Sequence, residues 1–349
     1  MSQQIIKCKN LEQDLRNILK SIDYDKLFIL TDTNTRQFCM PLFSNLPEVF
    51  NAPQVTIKAG DANKNIETLS SVWKFLCDNG ATRKSLLINI GGGMPTDLGG
   101  FAAASFKRGI RFVNIPTTLL AVVDAAVGGK TGINFNGLKN EIGAFAPAEA
   151  VLIETQFFKT LDTENFFSGY AEMIKHALLS SEDEWRKILS FNTDTIDYEN
   201  LKDLITTSVG IKEKIVEQDP TEKGIRKALN LGHTVGHAFE SLSYELKSPI
   251  LHGYAVAWGL VCELYLSFKK TGFSQDKLTQ TIYFIKQNYG TFSFSCKQYD
   301  RIYELMQHDK KNESDTINFT LLSNIGDIKI NQTATKEEIF EALDFYQEH

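Results

Sequence analysis

The sequence has 349 residues, which is long enough for two domains that each bury a core of their own. Its 42% hydrophobic and 23% charged residues are typical of an ordinary soluble globular protein. The net charge of -6, without a long one-sided run of Lys and Arg, argues against nucleic acid as a partner.

The chain shows no pattern typical of export or of membrane insertion. It does not open with a basic flank and an apolar core, and no segment approaches about 18 uncharged apolar residues. We therefore expect a cytoplasmic protein without a membrane partner. The five cysteines are widely spaced and form no C-x-x-C pair, so we expect reduced thiols and a metal held, if at all, by nitrogen and oxygen.

Residues 1–160 alternate apolar runs with amphipathic segments. The apolar runs predict buried strands at residues 26–32, 54–60, 85–93, 111–118 and 150–155. Between them, residues 65–80 and 97–109 have helical spacing and end in glycine. This alternation predicts an α/β domain with a Rossmann-like, mostly parallel sheet. Ligands of such sheets bind at the carboxyl ends of the strands.

Residues 161–349 predict an all-α domain. Apolar residues recur at positions i, i+3, i+4 and i+7 along six segments, at residues 164–180, 200–218, 225–246, 252–272, 275–290 and 336–349. One stretch, residues 316–330, alternates apolar and polar residues and predicts a small hairpin.

A glycine run at residues 89–101 follows a predicted strand and opens a predicted helix. Glycines let backbone N–H groups approach a phosphate, and the start of a helix favours its negative charge. Pyrophosphate binding is the functional interpretation, and tight packing of the helix on the strand is the alternative. The run is not a G-x-G-x-x-G fingerprint.

Residues 115–145 set polar side chains among glycines and other small residues: Thr117, Thr118, Asp124, Lys130, Lys139 and Asn140. Ammonium, amide and hydroxyl groups are what an anionic polyhydroxylated ligand or a nucleotide requires. The alternative is a flexible, solvated loop.

Metal-ligand candidates lie on three predicted helices of the second half, at Glu172, at His233 and His237, and at His252. Two histidines and one carboxylate with an open fourth position are a common catalytic zinc set. The spacing does not decide which two histidines bind the metal, and a buried structural histidine is about as frequent as a ligand. Basic residues on this half are Lys175, Lys212, Arg226, Lys310 and Lys311. For Lys212 and Arg226, each taken singly, a plain surface charge is the favoured interpretation.

Taken together, these motifs resemble those of the 3-dehydroquinate synthases, within the sugar phosphate cyclases. The resemblance rests on DLGGFAAASFKRGIRF, IPTTLLAVVDAAVGGKTGIN, LKNEIGAF, GYAEMIKHALL, GIRKALNLGHTVGHAFE and LHGYAVAWG, in the family's order. It implies an NAD-binding domain at residues 1–160, a helical metal- and substrate-binding domain at residues 161–349, an active site between them, and a homodimer. Met94 to Thr96, Ala125, Ala126 and Tyr254 depart from the family's usual residues.

The resemblance implies a zinc ion, with cobalt as an alternative, on Glu172, His233 and His252. It implies a phosphate pocket made by Lys130, Asn140, Asn230, His237, one of Lys310 and Lys311, and Arg108 of the neighbouring subunit. The substrate carboxylate is expected on Lys212 and Arg226, in a cavity completed by Asp124, Lys139, Lys175 and Glu222. NAD is expected on Asp61, Lys64, Gly93, Met94, Pro95, Thr96, Asp97, Thr117 and Thr118, joined by Lys130 and Lys139.

The implied reaction converts 3-deoxy-D-arabino-heptulosonate 7-phosphate to 3-dehydroquinate and phosphate, in the shikimate pathway. Transient oxidation by NAD, phosphate elimination, reduction and an intramolecular aldol closure would follow one another without net consumption of NAD. Three alternatives stay open: another sugar phosphate cyclase of the same fold, an NAD-dependent polyol dehydrogenase, and a non-enzymatic metal- or nucleotide-binding module.

Overall fold

A computed structural model describes residues 3–136, 138–307 and 317–349, so Lys310 and Lys311 lie outside the described residues. The described chain divides into two compact units. Unit 1 contains the residues up to Asp162 together with Asp197–Val209, and unit 2 contains Thr163–Ile196 and the residues from Gly210 onward.

Unit 1 is built on a parallel sheet of six strands, as the alternation of apolar runs and helical segments predicts. The strands of this unit in chain order are β1 (Gln4–Lys7), β2 (Leu27–Asp32), β3 (Gln54–Ile57), β4 (Leu86–Gly91), β5 (Arg111–Pro116), β6 (Lys130–Phe135), β7 (Leu138–Phe145) and β8 (Ala150–Ile153). The spatial order in the large sheet is β1-β8-β5-β4-β2-β3. The sequence pattern misses β1, because this edge strand has only two apolar residues, Ile5 and Ile6.

Helices of unit 1 pack on this sheet. They are α1 (Leu11–Ser21), α2 (Thr33–Phe38), α3 (Pro47–Phe50), α4 (Ile66–Asp78) and α5 (Gly93–Ser105). The apolar positions of α4 and α5, such as Leu69, Val72 and Leu98, join the buried side chains of the sheet in one core. Helix α4 lies within the segment predicted over residues 65–80, whereas α5 begins at Gly93, before the segment predicted over residues 97–109.

Residues 130–145 form a hairpin, which the sequence did not predict. The segment read as a loop of small residues is an antiparallel hairpin of β6 and β7, with Gly132 opposite Gly143. A Cβ atom at Gly143 would lie 2.1 Å from the carbonyl oxygen of Thr131, so glycine permits the close approach of the two backbones. The many glycines and charged residues hide the alternation by which strands are recognised.

Unit 2 is mainly helical. Its helices are α6 (Thr163–Leu178), α7 (Glu182–Ser190), α9 (His233–Glu245), α10 (His252–Thr271), α11 (Gln275–Tyr289), α12 (Tyr299–Gln307) and α13 (Lys336–Glu348), while α8 (Tyr198–Gln218) has residues in both units. The predicted hairpin is confirmed as β9 (Asn318–Asn324) and β10 (Asp327–Thr333). None of the helices in the described part of the chain has the length and apolar character needed to cross a membrane.

The helix expected over residues 225–246 is in fact two elements. A 3-10 turn, Ile225–Asn230, is followed by Gly232 in the left-handed region (φ 79), and α9 begins only at His233. The sequence pattern also misses α7 and α12, which are short. Because the break lies directly before His233, this histidine occupies the first turn of its helix.

Candidate active site

Three helices of unit 2 meet where α10 carries glycine. A Cβ atom at Gly253 of α10 would lie 1.8 Å from the carbonyl oxygen of Ser168 on α6. A Cβ atom at Gly259 of α10 would lie 2.0 Å from the carbonyl oxygen of Gly232, just before α9. The glycines therefore allow α6, α9 and α10 to pack backbone against backbone, and this brings their polar side chains within reach of one another.

One carboxylate and two imidazoles converge at this junction. His233 Nε2 lies 3.3 Å from Glu172 Oε1, and His252 Nε2 lies 3.6 Å from the same oxygen. Glu172 is completely buried on α6. The structure thus brings together the three side chains that the resemblance makes metal ligands.

His237 lies in the same cluster. Ring nitrogens of His233, His237 and His252 are all within 4.8 Å of one another. The distances alone therefore do not show which two histidines bind the metal and which one only lies beside it. The role of His237 rests on the resemblance.

The outer nitrogens of both Glu172-facing histidines are already engaged. His233 Nδ1 lies 3.2 Å from the carbonyl oxygen of Leu231, and His252 Nδ1 lies 3.2 Å from Glu240 Oε2. With a metal bound, an Nδ1–H that donates to such an acceptor would leave the lone pair of Nε2 for the metal. Carbonyl and carboxylate acceptors on the far side of a histidine are typical of metal sites.

Electrostatics keep the carboxylate ionised. Burial raises the pKa of Glu172, but the positive charges of Lys175 and His233 hold this pKa well below its usual value. Lys175 Nζ forms an ion pair with Glu172 Oε2 on the same helix. Burial lowers the pKa of His252, whereas its hydrogen bonds to Glu172 and Glu240 raise this pKa to about 9.

The donor set fits a divalent cation. Two imidazole nitrogens and one ionised carboxylate are ligands that zinc prefers, and they leave a fourth position for a substrate oxygen. A buried carboxylate is costly unless positive groups surround it, and a cation would supply such a charge. We conclude that Glu172, His233 and His252 are suited to hold zinc.

Glu263 holds the start of α9 from the neighbouring helix α10. It is completely buried, its Oε2 accepts the N–H of Gly232 at 2.7 Å, and its Oε1 accepts the N–H of Val235 at 3.1 Å. The N-cap residue of α9 is Gly232, which has no side chain to cap the helix. Glu263 therefore fixes the turn that carries His233. The sequence gives no signal for this role, since a cap that comes from another helix has no fixed spacing.

The segment between α8 and α9 carries three further predicted residues. Arg226 is buried, and its Nη1 donates to the carbonyl oxygen of Pro220 at 2.7 Å. Asn230 Nδ2 donates to Glu222 Oε1 at 3.2 Å. Lys212 is buried on α8. The structure thus brings Glu222 and Asn230 together and places Arg226 in the same segment.

In unit 1 the predicted cofactor residues gather at the carboxyl ends of β4 and β5. These two strands pair in parallel, with Gly91 opposite Pro116, and the N–H of Thr117 donates to the carbonyl oxygen of Gly91 at 2.9 Å. A Cβ atom at Gly92 would lie 3.1 Å from Thr118 Cγ2. The start of α5, residues 93–97, therefore lies beside Thr117 and Thr118.

Packing explains part of the glycine run. A Cβ atom at Gly99 would lie 2.1 Å from Asn89 Oδ1, so this glycine lets α5 approach the sheet. At Gly99 the glycine therefore serves tight packing of the helix on the strand, which is the alternative interpretation of the run.

A second group of predicted residues surrounds Asp97. Lys64 is buried, and its Nζ donates to Asp97 Oδ2 at 2.6 Å. Asn134 of β6 donates from Nδ2 to Asp61 Oδ2 at 3.1 Å, and Lys139 Nζ lies 3.5 Å from the same oxygen. The hairpin is thus tied to the turn that carries Asp61 and Lys64.

The remaining predicted residues of unit 1 lie on irregular or exposed backbone. Asp124 belongs to a π-helical turn, Ala121–Ala125, a conformation that is frequent at functional sites. Arg108 and Asn140 have left-handed backbones, with φ values of 68 and 50. Arg108 is exposed beside a surface cavity that Arg83 and Lys107 also line. Lys130 begins β6 and is exposed.

Solved structures share this fold at low sequence identity. A 2-epi-5-epi-valiolone synthase from Streptomyces hygroscopicus subsp. jinggangensis, with NAD+ and Zn2+ bound, has a TM-score of 0.89, 22% sequence identity, and coverage of 100% of this chain and 97% of that chain. A 2-deoxy-scyllo-inosose synthase complexed with carbaglucose-6-phosphate, NAD+ and Co2+ has a TM-score of 0.84, 21% identity, and coverage of 97% and 95%. The fold is that of the sugar phosphate cyclases.

Sequence comparison gives the particular family. The profile of the 3-dehydroquinate synthase N-terminal domain matches residues 54–168, and that of the C-terminal domain matches residues 169–312. The 3-dehydroquinate synthase of Parabacteroides distasonis is 58% identical over 346 residues, which are 99% of this chain and 98% of that protein. The chain belongs to the 3-dehydroquinate synthase family, so the resemblance seen in the motifs is confirmed.

Proposed function

We propose that this protein is a 3-dehydroquinate synthase, a phosphate-eliminating lyase of aromatic amino acid biosynthesis. It converts 3-deoxy-D-arabino-heptulosonate 7-phosphate to 3-dehydroquinate and phosphate. The observation that carries the proposal is the 58% identity to a 3-dehydroquinate synthase over 99% of this chain.

Glu172, His233 and His252 are the metal ligands in this proposal. Zinc, with cobalt as an alternative, would coordinate adjacent substrate hydroxyls and lower their pKa. The convergence of the three side chains supports this assignment, as do the acceptors behind the two histidines. Glu240 orients the imidazole of His252 and Glu263 fixes the turn that carries His233, so little reorganisation would be needed when substrate binds.

NAD is the second cofactor in the proposal, held by the residues at the carboxyl ends of β4 and β5 and by the group around Asp97. Bound NAD would supply a reversible hydride acceptor that is regenerated in each turnover. The backbone N–H groups at the start of α5 would face its pyrophosphate, because a helix start favours an anion. The salt bridge between Lys64 and Asp97 holds these two proposed NAD-binding residues together.

The substrate would be held by its two anionic ends. Lys212 and Arg226 would bind the carboxylate, and both are buried, so their charges are poorly screened by water. Lys130, Asn140, Asn230 and His237 would bind the phosphate, together with Lys310 or Lys311. Lys175, Asp124, Lys139 and Glu222 would complete the polar cavity. These residues position the substrate and stabilise charge, and the departing phosphate itself would take the proton.

Turnover of the purified protein tests this proposal. It is incubated with the heptulosonate phosphate, catalytic NAD+ and zinc, and phosphate and dehydroquinate are both measured. We expect the two products in equal amounts, without accumulation of NADH. Stoichiometric NADH would instead favour a polyol dehydrogenase, and phosphate release only from a different sugar phosphate would favour another cyclase.

A matched pair of arginine variants sharpens the test. Arg226→Ala is expected to lose carboxylate binding and raise KM. Arg301→Ala changes an arginine that pairs with Glu245 on the surface, 2.7 Å away, and is expected to leave KM unchanged. Equal kinetics of the two variants would contradict the assignment of Arg226.

We also propose a cytoplasmic homodimer in which Arg108 of one subunit completes the phosphate pocket of the other. The exposure of Arg108 on its strained turn supports an intermolecular role. Mixing the Arg108→Ala and His233→Ala proteins under subunit exchange should restore about a quarter of wild-type activity, because half of the dimers then contain one intact site. A mixture that stays inactive although its subunits exchange would contradict the proposal.

A further inference from the structure

Asp219 organises the turn that follows α8. Its Oδ1 accepts the N–H of Lys223 at 3.0 Å, and its Oδ2 accepts the N–H groups of Gly224 at 2.6 Å and Arg226 at 3.1 Å. One carboxylate thus collects three backbone donors that no helix or strand would satisfy.

These hydrogen bonds favour the ionised carboxylate. Burial raises the pKa of Asp219, but the three backbone N–H groups and the charge of Arg226 lower it below the usual value. Carboxylates that accept several N–H groups form stronger hydrogen bonds than neutral acceptors do. Asp219 is therefore better suited to this turn than an amide of the same shape.

The turn has little apolar packing to fix its course. Thr221 and Lys223 are exposed, and Glu222 has a left-handed backbone with φ 61. This conformation costs energy for a residue other than glycine, so the surrounding contacts must maintain it. The bonds that Asp219 makes just beyond Glu222 provide such contacts.

The same turn determines where a buried guanidinium lies. The backbone of Arg226 is bound to Asp219, while its side chain donates to the carbonyl oxygen of Pro220 within the turn. Glu222 Oε1 accepts from Asn230, the last residue of the next 3-10 turn. A displacement of the turn would thus move Arg226, Glu222 and Asn230 together.

We propose that Asp219 is a positioning residue that sets the place of the Arg226 guanidinium and, with it, the affinity for the substrate carboxylate. The inference rests on the proposed function, since it requires Arg226 to bind substrate. Asp219 acts only through the backbone and need not touch substrate, NAD or metal.

The test compares Asp219→Asn with Asp197→Asn. Asp197 is a matched control because it too is an aspartate that accepts backbone N–H groups next to α8. It directly precedes the first residue of this helix, and its Oδ1 accepts the N–H groups of Glu199 and Asn200. In Asp219→Asn one oxygen becomes an amide that faces a donor, so we expect KM for the heptulosonate phosphate to rise about tenfold. We expect kcat to fall less than about threefold, with zinc content unchanged. Asp197→Asn should keep the wild-type KM, because Asn is as good a cap as Asp.

A double-mutant cycle separates positioning from a general effect on the fold. In an Arg226→Ala background, Asp219→Asn should raise KM much less than in the wild-type background, because the main group it positions is gone and only the displacement of Glu222 and Asn230 remains. An equal rise with and without Arg226 would overturn the proposal, as would an Asp219→Asn protein that keeps the wild-type KM or fails to fold. If the wild-type enzyme makes no dehydroquinate, the proposed function fails first, and this outcome is distinct from the other three.

Discussion

Glu240 Oε2 lies 3.2 Å from Nδ1 of His252, on the side of the ring opposite to Glu172. The two residues belong to successive helices, α9 and α10, and the Glu240 side chain is almost completely buried. The carboxylate thereby fixes the tautomer and the orientation of an imidazole that we propose as a metal ligand.

Replacing Glu240 should weaken zinc binding. We expect Glu240→Ala to lower the zinc affinity about 10- to 100-fold and Glu240→Gln to lower it less, because the amide oxygen still accepts a hydrogen bond. Competition with a chelator measures the affinity of the folded apoprotein directly. Glu245→Gln, on the same helix but paired with Arg301, is the control and should bind zinc like the wild type. Unchanged affinity in Glu240→Ala would show that His252 needs no such support.

His233 and His237 should respond differently to the same substitution. His233→Ala should lose stoichiometric zinc, because it removes one of the three ligands. His237→Ala should keep zinc and lose turnover, because its proposed partner is the substrate phosphate. Metal analysis of both proteins after dialysis, together with their kcat, checks this prediction. An equal loss of zinc in both would refute the proposed division of roles, which the proximity of their ring nitrogens leaves open to test.

A methyl group at the contact of α6 with α10 should be poorly tolerated. In Gly253→Ala the new Cβ would lie 1.8 Å from the carbonyl oxygen of Ser168, so the two helices must separate. We expect a loss of about 1–3 kcal/mol of unfolding free energy, measured by urea denaturation, and weaker zinc binding. Gly210→Ala on α8 is the control: among the described residues outside its own stretch of helix, no atom lies within 4 Å of the added Cβ, and a gain of about 0.5–1 kcal/mol is expected from the helical backbone. A Gly253→Ala protein as stable as the wild type would contradict the close backbone contact of α6 with α10.

Thiol labelling tests the placement of the cysteines. Cys77 and Cys296 are exposed, whereas Cys8, Cys39 and Cys262 are buried. Burial raises the pKa of Cys8 to about 12 and that of Cys39 to about 11, so their reactive thiolates are rare at about pH 8. We expect an aromatic disulfide reagent to label two thiols rapidly in the native protein and five after unfolding. Cys77→Ser combined with Cys296→Ser should remove the rapid phase, and a third rapid thiol would contradict the fold.

The central strands of the sheet could be predicted from the sequence because they consist of continuous apolar runs. β2 and β4 are buried at every position, and such continuous apolar runs are typical of the central strands of a parallel sheet. The helix bearing His252 was equally clear, since its apolar residues recur with helical spacing. The hairpin of β6 and β7 was missed, because glycine and charged residues give it no regular alternation.

In the candidate site, too, the sequence predicts the types of the key residues but not the contacts that bring them together. Glu172, His233 and His252 stand out as ligand types on separate helices, but their convergence depends on contacts between distant glycines and backbone, such as Gly253 with Ser168. Glu263 caps a helix to which it does not belong, so sequence spacing carries no information about it. The break at Gly232 depends on packing against α10, and the helical pattern passes through it without interruption.

The metal site is the central claim, and X-ray diffraction at the zinc absorption edge tests it most directly. In crystals of the zinc-loaded protein we expect one strong anomalous peak about 2.0–2.2 Å from a Glu172 oxygen and from Nε2 of His233 and of His252. A peak bound by His237 in place of either histidine, or one outside the reach of Glu172, would contradict the account.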